Sequence, residues 1–259
     1  MDERKKDYYK KYYDISDVIG NGAYGVIYKG KEKGTQKEIA IKKIDFEKIE
    51  QYLLLEYGVE NLEKELQKFK DKMIQEFDIM QLCSKNNANS LKCYEYFSEE
   101  ESFIIIMELC DTNLAKFLKE KIKKDKKGFD SDEILEILYQ LNFAFKVMME
   151  NKIIHRDLKL ENILIKYEDK EKEFFTIKLA DYGCSKILDS LSRYDINSYV
   201  GTTSYMAPEI IMKKEYNHKC DLWSIGIIIY NLAFGKSPFL GETDFALHNS
   251  INRFDCLHF

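Results

Sequence analysis

Apolar residues recur along this chain at two different periods, and the point where one gives way to the other constrains the fold class. Up to Met107, short alternating runs prevail: Asp14 to Ile19, Val26 to Gly30, Lys37 to Ile44, Lys92 to Phe97 and Phe103 to Met107 each read as a strand. The first two flank a glycine cluster as a hairpin would, and the acidic stretch Ser98 to Ser102 is the turn between the last two. Between the third and fourth, Phe46 to Cys83 places Leu, Ile and Phe at helical spacing among Glu and Lys, which predicts one or two amphipathic helices. Beyond Cys110 the helical period dominates, first in Asn113 to Lys124. It continues in Ser131 to Asn151, where Ser131, Glu133 and Ile134 mark a helix start. It returns beside Trp223, in the run Ile225 to Tyr230 that leads to a turn at Gly235-Lys236-Ser237-Pro238. The stretch Ile153 to Glu209 reads as loop-rich and carries most of the chemistry-bearing residues, which loops are suited to present. The expectation is an α+β fold of two lobes, a small β-rich one with one main helix and a mainly α one.

Composition narrows the function classes. At 259 residues, 45% hydrophobic and 33% charged, the chain can bury a sizeable core. A net charge of −5 gives no bulk attraction for nucleic acid. The six cysteines show no C-x-x-C pair, so neither a disulfide framework nor a structural metal site is expected. Met1 is followed by the charged Asp2 to Lys6, and no apolar run approaches bilayer-spanning length, so the chain reads as cytoplasmic or nuclear, without a membrane partner.

Four short motifs carry the chemistry. Gly20-Asn21-Gly22-Ala23-Tyr24-Gly25-Val26 fits G-x-G-x-x-G, in which missing Cβ atoms let backbone N–H groups approach phosphate oxygens. Alone it is equally a glycine-rich hairpin turn, and a strand on both sides argues against a dinucleotide-binding crossover. Ile39-Ala40-Ile41-Lys42 ends the third strand on a lysine suited to α- and β-phosphates. A carboxylate must hold that flexible cation: Glu76, on a helix whose Met73, Phe77 and Met80 form a packing face, is favoured over Glu65. In His155-Arg156-Asp157-Leu158-Lys159-Leu160-Glu161-Asn162, the polar residues at fixed spacing would be costly to bury for packing alone. Asp157 can accept or orient a hydroxyl proton, Lys159 can neutralise a transferring phosphoryl, and Asn162 can offer an oxygen to a metal. Leu179-Ala180-Asp181-Tyr182-Gly183 ends a strand on a carboxylate that, with Asn162, meets the oxygen-ligand demand of Mg²⁺.

In order and spacing these motifs, with Ala207-Pro208-Glu209, resemble the signature set of eukaryotic protein kinases from about Asp14 to the end of the chain. The resemblance implies that Gly20, Gly22 and Gly25 cover the phosphates of ATP, with Asn21, Ala23, Tyr24, Val26 and Ala40 also at the nucleotide. It implies that Lys42 paired to Glu76 holds the phosphates, that Asp157 is the base, and that Asn162 and Asp181 bind Mg²⁺, or Mn²⁺ in its place. Met107 would be the gatekeeper, with Glu108, Leu109 and Cys110 as the adenine-binding hinge. The implied layout is an N-terminal extension over 1–11 and a kinase domain over 12–259. Within it lie an N-lobe over 12–107 with a helical insertion at about 46–70, the hinge at 108–110, and a C-lobe over 111–259.

Lys159, and Gly201-Thr202 ahead of Tyr205 to Glu209, resemble the serine/threonine class, in which Thr202 contacts the catalytic Asp and Lys. Protein substrates bearing Ser or Thr are the implied partners, with a regulatory partner at the insertion or the C-terminal face. Ser198 aligns with the usual activating phosphorylation position, with Arg156 and Lys186 as its cations. Two positions depart from the pattern while keeping bulk and apolarity: Tyr182 stands for the usual Phe and Leu160 for the usual Pro. Asp221 matches a buried Asp that bonds the catalytic loop's backbone, whereas the arginine that usually pairs with Glu209 lies on a later helix not found here, so the C-lobe is expected to be short. The alternative function is a pseudokinase, an ATP-binding or scaffolding module; its usual mark is loss of Lys42, Asp157 or Asp181, all of which are present.

Overall fold

The computed structural model describes residues 7–22, 25–171, 173–187, 201–241 and 243–253. The chain divides into two compact units: one takes in the chain up to Lys85 with Leu91–Cys110, the other Asn86–Ser90 and the chain from Asp111 onward.

The first unit is built on β1 (Tyr13–Asn21), β2 (Gly25–Glu32), β3 (Glu38–Asp45), β4 (Cys93–Ser98) and β5 (Ser102–Glu108). They form one sheet in the order β1-β2-β3-β5-β4, every neighbour antiparallel. Because side chains alternate along a strand, Ile39 and Ile41 of central β3 serve one face while Ala40, Lys42 and Ile44 serve the other. The first face is closed by Tyr9, Tyr13, Phe97, Ile104 and Ile106. Tyr9 is fully buried, and the backbone N–H groups of Asp7 and Tyr9 donate to the Glu99 carboxylate at 2.8 and 3.3 Å. Tyr9, in the stretch read from sequence as lying ahead of the domain, therefore contributes to this core. No periodicity announces it, because the two aromatic residues of that stretch sit among lysines and acids.

Directly after β3 comes α1 (Phe46–Tyr57), started by the Asp45 side chain accepting the Glu47 N–H at 3.0 Å. It buries Phe46, Ile49 and Leu53 on one stripe and packs on α2 (Leu62–Ser84). The helix α2 turns Met73, Glu76, Phe77, Met80 and Cys83 inward, with Phe77 edge-on to Tyr96 of β4 at 4.8 Å.

The second unit contains β6 (Thr112–Asn113), α3 (Leu114–Asp125), α4 (Ser131–Glu150), β7 (Ile153–Ile154), β8 (Ile163–Tyr167), β9 (Phe175–Leu179), β10 (Lys186–Ile187), α5 (Pro208–Ile211), α6 (Lys219–Phe234) and α7 (Asp244–Arg253). Asp130 and Glu133 form a reciprocal capping box at the start of α4. Near-continuous apolar content marks α6 as a buried helix, and its Trp223 stacks on Phe239 at 5.7 Å. β6, β8 and β9 form one small sheet; β7 and β10 form another. β9 is further held by Leu179 N–H to the Asn89 carbonyl at 2.8 Å and Lys178 Nζ to the Ala88 carbonyl at 2.9 Å. The stretch read as loop-rich thus contains a regular hairpin, β8 with β9, in register Ile163 to Leu179 through Tyr167 to Phe175. Each strand has five residues, too few for a period of two to stand out between a polar motif and a charged turn. The architecture is α+β, as the change of period implies.

Candidate active site

In the first unit, Gly20 and Asn21 end β1, Gly22 follows them, and Gly25 and Val26 begin β2; Ala23 and Tyr24 lie outside the described residues. The Gly22 N–H closes the turn by donating to the Gly25 carbonyl at 2.8 Å. A Cβ on Gly25 would stand 2.3 Å from the Lys43 carbonyl oxygen, so the approach of β3 alone already demands glycine there. A Cβ on Gly22 would meet the Gly25 carbonyl oxygen at 3.7 Å, an ordinary contact, so packing alone does not demand glycine there.

Lys42 lies mid-sheet, opposite Ile27 on one side and Ile105 on the other. Its Nζ donates to Glu76 Oε1 at 3.1 Å. Glu76 is 9% exposed within the apolar stripe of α2, where an unpaired carboxylate would be costly. Glu65 instead pairs with Lys68 at 2.7 Å near the surface. Ala40 faces Met107 across β3 and β5, and Ile39 faces Glu108. Met107 and Glu108 are buried, and Leu109 and Cys110 half-buried.

In the second unit the centre is the Asp157 carboxylate. Its Oδ1 accepts the Thr202 N–H at 2.9 Å and the Thr202 hydroxyl at 2.7 Å. Its Oδ2 accepts Lys159 Nζ at 2.7 Å and Asn162 Nδ2 at 3.1 Å. Lys159 Nζ also donates to Thr202 Oγ1 at 2.9 Å, so the three side chains form a closed ring. Asn162 Nδ2 reaches the Asp157 carbonyl at 2.9 Å as well, which engages the amide's two protons and turns its Oδ1 to other partners.

Thr202 reaches this place because of its neighbour. Gly201 has φ 110, and a Cβ on it would sit 2.3 Å from the Arg156 carbonyl oxygen. Only glycine permits that contact between the two loops.

The loop is held from behind by Asp221 on α6. That carboxylate accepts the N–H of His155 at 2.8 Å and of Arg156 at 2.9 Å. Burial raises the Asp221 pKa, opposed by His155, the two backbone hydrogen bonds and Arg156. His155 is fully buried; its Nε2 meets the Ala180 carbonyl at 3.1 Å and its Nδ1 the Asp157 N–H at 3.4 Å. With the Asp157 N–H directed at Nδ1, it is Nε2 that faces the Ala180 carbonyl. Its ring lies 5.1 Å from Tyr182, whose hydroxyl donates to Ser90 Oγ at 3.4 Å. The extra oxygen at this position thus has a partner. Ala180 N–H donates to the Asn162 carbonyl at 2.9 Å, which ties Asn162 to the residue before the exposed Asp181, itself at φ 63.

Of the remaining expected residues, Arg156 donates through Nε to the Cys184 carbonyl and through NH1 to the Tyr216 hydroxyl at 3.0 Å. Lys186 is exposed on β10 opposite Ile154. Ser198 lies outside the described residues. Glu209 is half-buried, and none of the described residues forms an ion pair with it.

Residues 13–256 match the protein kinase domain family. The chain belongs to the protein kinase family. Among its relatives are serine/threonine-protein kinase Nek5 of Homo sapiens, 30% identical over 89% of this chain and 29% of the relative, and serine/threonine-protein kinase 33 of Bos taurus, 30% identical over 95% and 47%. Serine/threonine-protein kinase pakG of Dictyostelium discoideum is 32% identical over 86% of this chain and 16% of its own. The chain spans less than half the length of each of these relatives.

Kinases of this family use ATP with Mg²⁺ and act on protein substrates. The donor set of this kinase domain fits that ion. Among the described residues no three His, Cys, Asp or Glu side chains converge to cage a metal. Asn162 Oδ1 and the exposed Asp181 carboxylate are hard oxygen donors that suit a cation drawing its other ligands from phosphate and water. Sequence reasoning missed the groups that hold Arg156, since a backbone carbonyl leaves no mark and Tyr216 belongs to no motif. No helix among the described residues is long and apolar enough to cross a membrane.

Proposed function

We propose that this kinase domain transfers the γ-phosphoryl group of ATP to serine or threonine hydroxyls of protein substrates. The observation that carries the reading is the four-donor setting of Asp157, built from Lys159, Asn162 and Thr202. A carboxylate has about four acceptor directions, so an incoming alcohol must take over one now used. The Thr202 hydroxyl occupies such a direction, which is suited to a short alcohol side chain. Asp157 orients that alcohol and receives its proton as the oxygen bonds to phosphorus. Lys159, already bridging Asp157 and Thr202, offsets charge on the transferring group. Bound Mg-ATP, or its Mn²⁺ form, supplies the activated phosphoryl group and a cation for the leaving oxygens. Asn162 and Asp181 hold that cation, Lys42 the phosphates, and Glu76 holds Lys42. The glycine loop from Gly20 to Val26 with Ala40 covers the nucleotide, and Met107 to Cys110 receive its base.

The serine/threonine assignment draws on Lys159 and Thr202 together with the names of the relatives. Residues 12–107 form the nucleotide-side lobe with 46–70 as an insertion, and residues 111–259 form the substrate-side lobe. Phosphorylation of Ser198 activates the domain by recruiting Arg156 and Lys186.

Transfer of radiolabelled γ-phosphate to a generic basic protein, followed by phosphoamino-acid analysis, tests the reading. Label on Ser or Thr that falls about a thousandfold in Asp157→Asn is expected. A folded, ATP-binding chain that transfers nothing, or that labels tyrosine, overturns it.

A further inference from the structure

The chain is acidic overall, with a net charge of −5, yet residues 116–127 hold seven lysines against Glu120 and Asp125. Lys121 is accounted for internally. Its Nζ reaches Asp125 at 3.3 Å and Glu133 at 2.6 Å, so it also occupies both of those acids. The other six, Lys116, Lys119, Lys123, Lys124, Lys126 and Lys127, are exposed. Lys116, Lys119 and Lys123 follow i, i+3, i+7 and share the outward face of α3. Lys124 adds to the last turn of the helix, and Lys126 and Lys127 continue the basic run past its end.

This field is rigidly mounted. Lys126 caps α3 in the left-handed conformation, its N–H on the Ile122 carbonyl at 2.9 Å. Phe129 N–H then bonds the Leu232 carbonyl at 2.8 Å, fastening the loop to the end of α6. The side chain of Ile122 abuts Gly235, so the exposed Lys236 adds a seventh outward cation beside the others.

A helix C-terminus favours cations, which accounts for Lys123 and Lys124 in the last turn. It does not account for the rest, which repel one another in the absence of a counter-charge. The field also has a direction. α3 packs against the turn Leu160–Asn162, next to Asp157, and twelve helical residues extend about 18 Å from there. That span equals about six residues of extended peptide.

We propose that this lysine face docks acidic segments of the protein substrates, engaging carboxylates about five to eight residues from the phosphorylated hydroxyl. The proposal rests on the kinase reading above and adds a specificity determinant to it. Chemistry selects the partner. The cations are ammoniums rather than guanidinium forks, and the apolar side chains Leu114, Phe117 and Leu118 turn away from them, toward Phe129, Phe175 and the core. Among the described residues, α3 itself thus offers no aromatic platform for bases and no apolar wedge for a bilayer.

The test compares the 259-residue chain with a Lys119→Glu, Lys123→Glu, Lys127→Glu variant. The substrates are two serine peptides that differ only in a distal run of glutamates or glutamines. The expected result is a KM about tenfold lower for the glutamate peptide with kcat unchanged, the combined effect of three exposed ion pairs. That advantage should vanish in the variant and in high salt, while the glutamine peptide is handled equally by both proteins. Equal KM values in the wild type, or an advantage that survives in the variant, overturn the proposal. Fluorescence anisotropy of the labelled glutamate peptide judges the surface without catalysis. If no peptide is phosphorylated, binding by the wild type and not by the variant upholds the docking face while the kinase reading falls; no binding by either overturns the face. Tighter binding of phosphatidylserine vesicles or polyuridylate than of the glutamate peptide also overturns it.

Discussion

Consider Asp221→Asn. The carboxylate is 3% exposed and accepts two backbone N–H groups, at 2.8 and 2.9 Å. Hydrogen bonds to a charged group contribute about 1.5–3 kcal/mol each. An asparagine keeps one oxygen for one N–H and turns its NH₂ toward the other, so one such bond is lost and a buried donor faces a donor. Against this, burial opposes the charge of Asp221, and that opposition disappears with a neutral amide. A net loss of about 3 kcal/mol follows. At about 2–4 °C per kcal/mol for a chain of this size, calorimetry should show Tm lowered by about 6–12 °C.

Activity should suffer beyond that loss. Arg156 is held at φ 67, a left-handed conformation that costs a non-glycine residue about 1–2 kcal/mol, and one of the two lost or weakened bonds is the one on its N–H. Asp157 is the next residue, so relaxation of Arg156 displaces the carboxylate from its four donors and lowers kcat more than it raises KM for ATP. The pH dependence has a definite sign. Burial raises the Asp221 pKa above its unfolded value. Its protonation therefore favours the folded state at low pH, a contribution lost as pH rises through the raised value. The variant lacks that contribution, so the Tm gap widens on acidification. A fall of under about 2 °C with wild-type kcat would refute the idea that this carboxylate holds the loop.

Three further changes have definite outcomes. Glu76→Gln removes the carboxylate charge that Lys42 Nζ meets at 3.1 Å and should lower kcat/KM about ten- to a hundredfold in steady-state assays, with a Tm close to wild type because the pair is only partly buried. Thr202→Ala removes a hydroxyl that donates to Asp157 and accepts from Lys159, and should cut kcat about tenfold, whereas Thr202→Ser should restore it; equal activity of both variants would contradict the role given to the hydroxyl. Tyr9→Phe removes a buried hydroxyl with no hydrogen-bond partner among the described residues, so neutral-pH stability should hold or rise by up to about 1 kcal/mol in urea titrations. Burial, with Asp7 and Glu99 adding to it, pushes the Tyr9 pKa up to about 12. Its neutral form therefore supports the fold below the ordinary value of 10.0, and that support is lost as pH climbs toward about 12, so the phenylalanine variant should unfold later in an alkaline titration.

The residues legible in the sequence were those whose burial makes an unusual chemical demand. Asp157, Lys159 and Asn162 satisfy one another within a single short run, so their spacing already implies a network. Glu76 stood out as a carboxylate on an apolar stripe; Glu65 was the same residue type, but a lysine three positions along meets its charge at the surface. What stayed illegible was supplied by surfaces that exist only after folding. Tyr9 is buried because Phe97 and the Glu99 carboxylate wait for it across the sheet, a match that no local repeat encodes. Arg156 finds a carbonyl and a hydroxyl, neither belonging to a motif. Gly25 looked like a phosphate-binding glycine, yet the Lys43 carbonyl at 2.3 Å from its absent Cβ makes it a requirement of the sheet, whatever lies above the loop. Gly201 marks the intermediate case. Its φ of 110 and the Arg156 oxygen at 2.3 Å from its absent Cβ show why a distant Gly-Thr pair could be read at all. The glycine records in sequence the one point where two loops must nearly touch, and the threonine beside it is delivered to Asp157 by that contact.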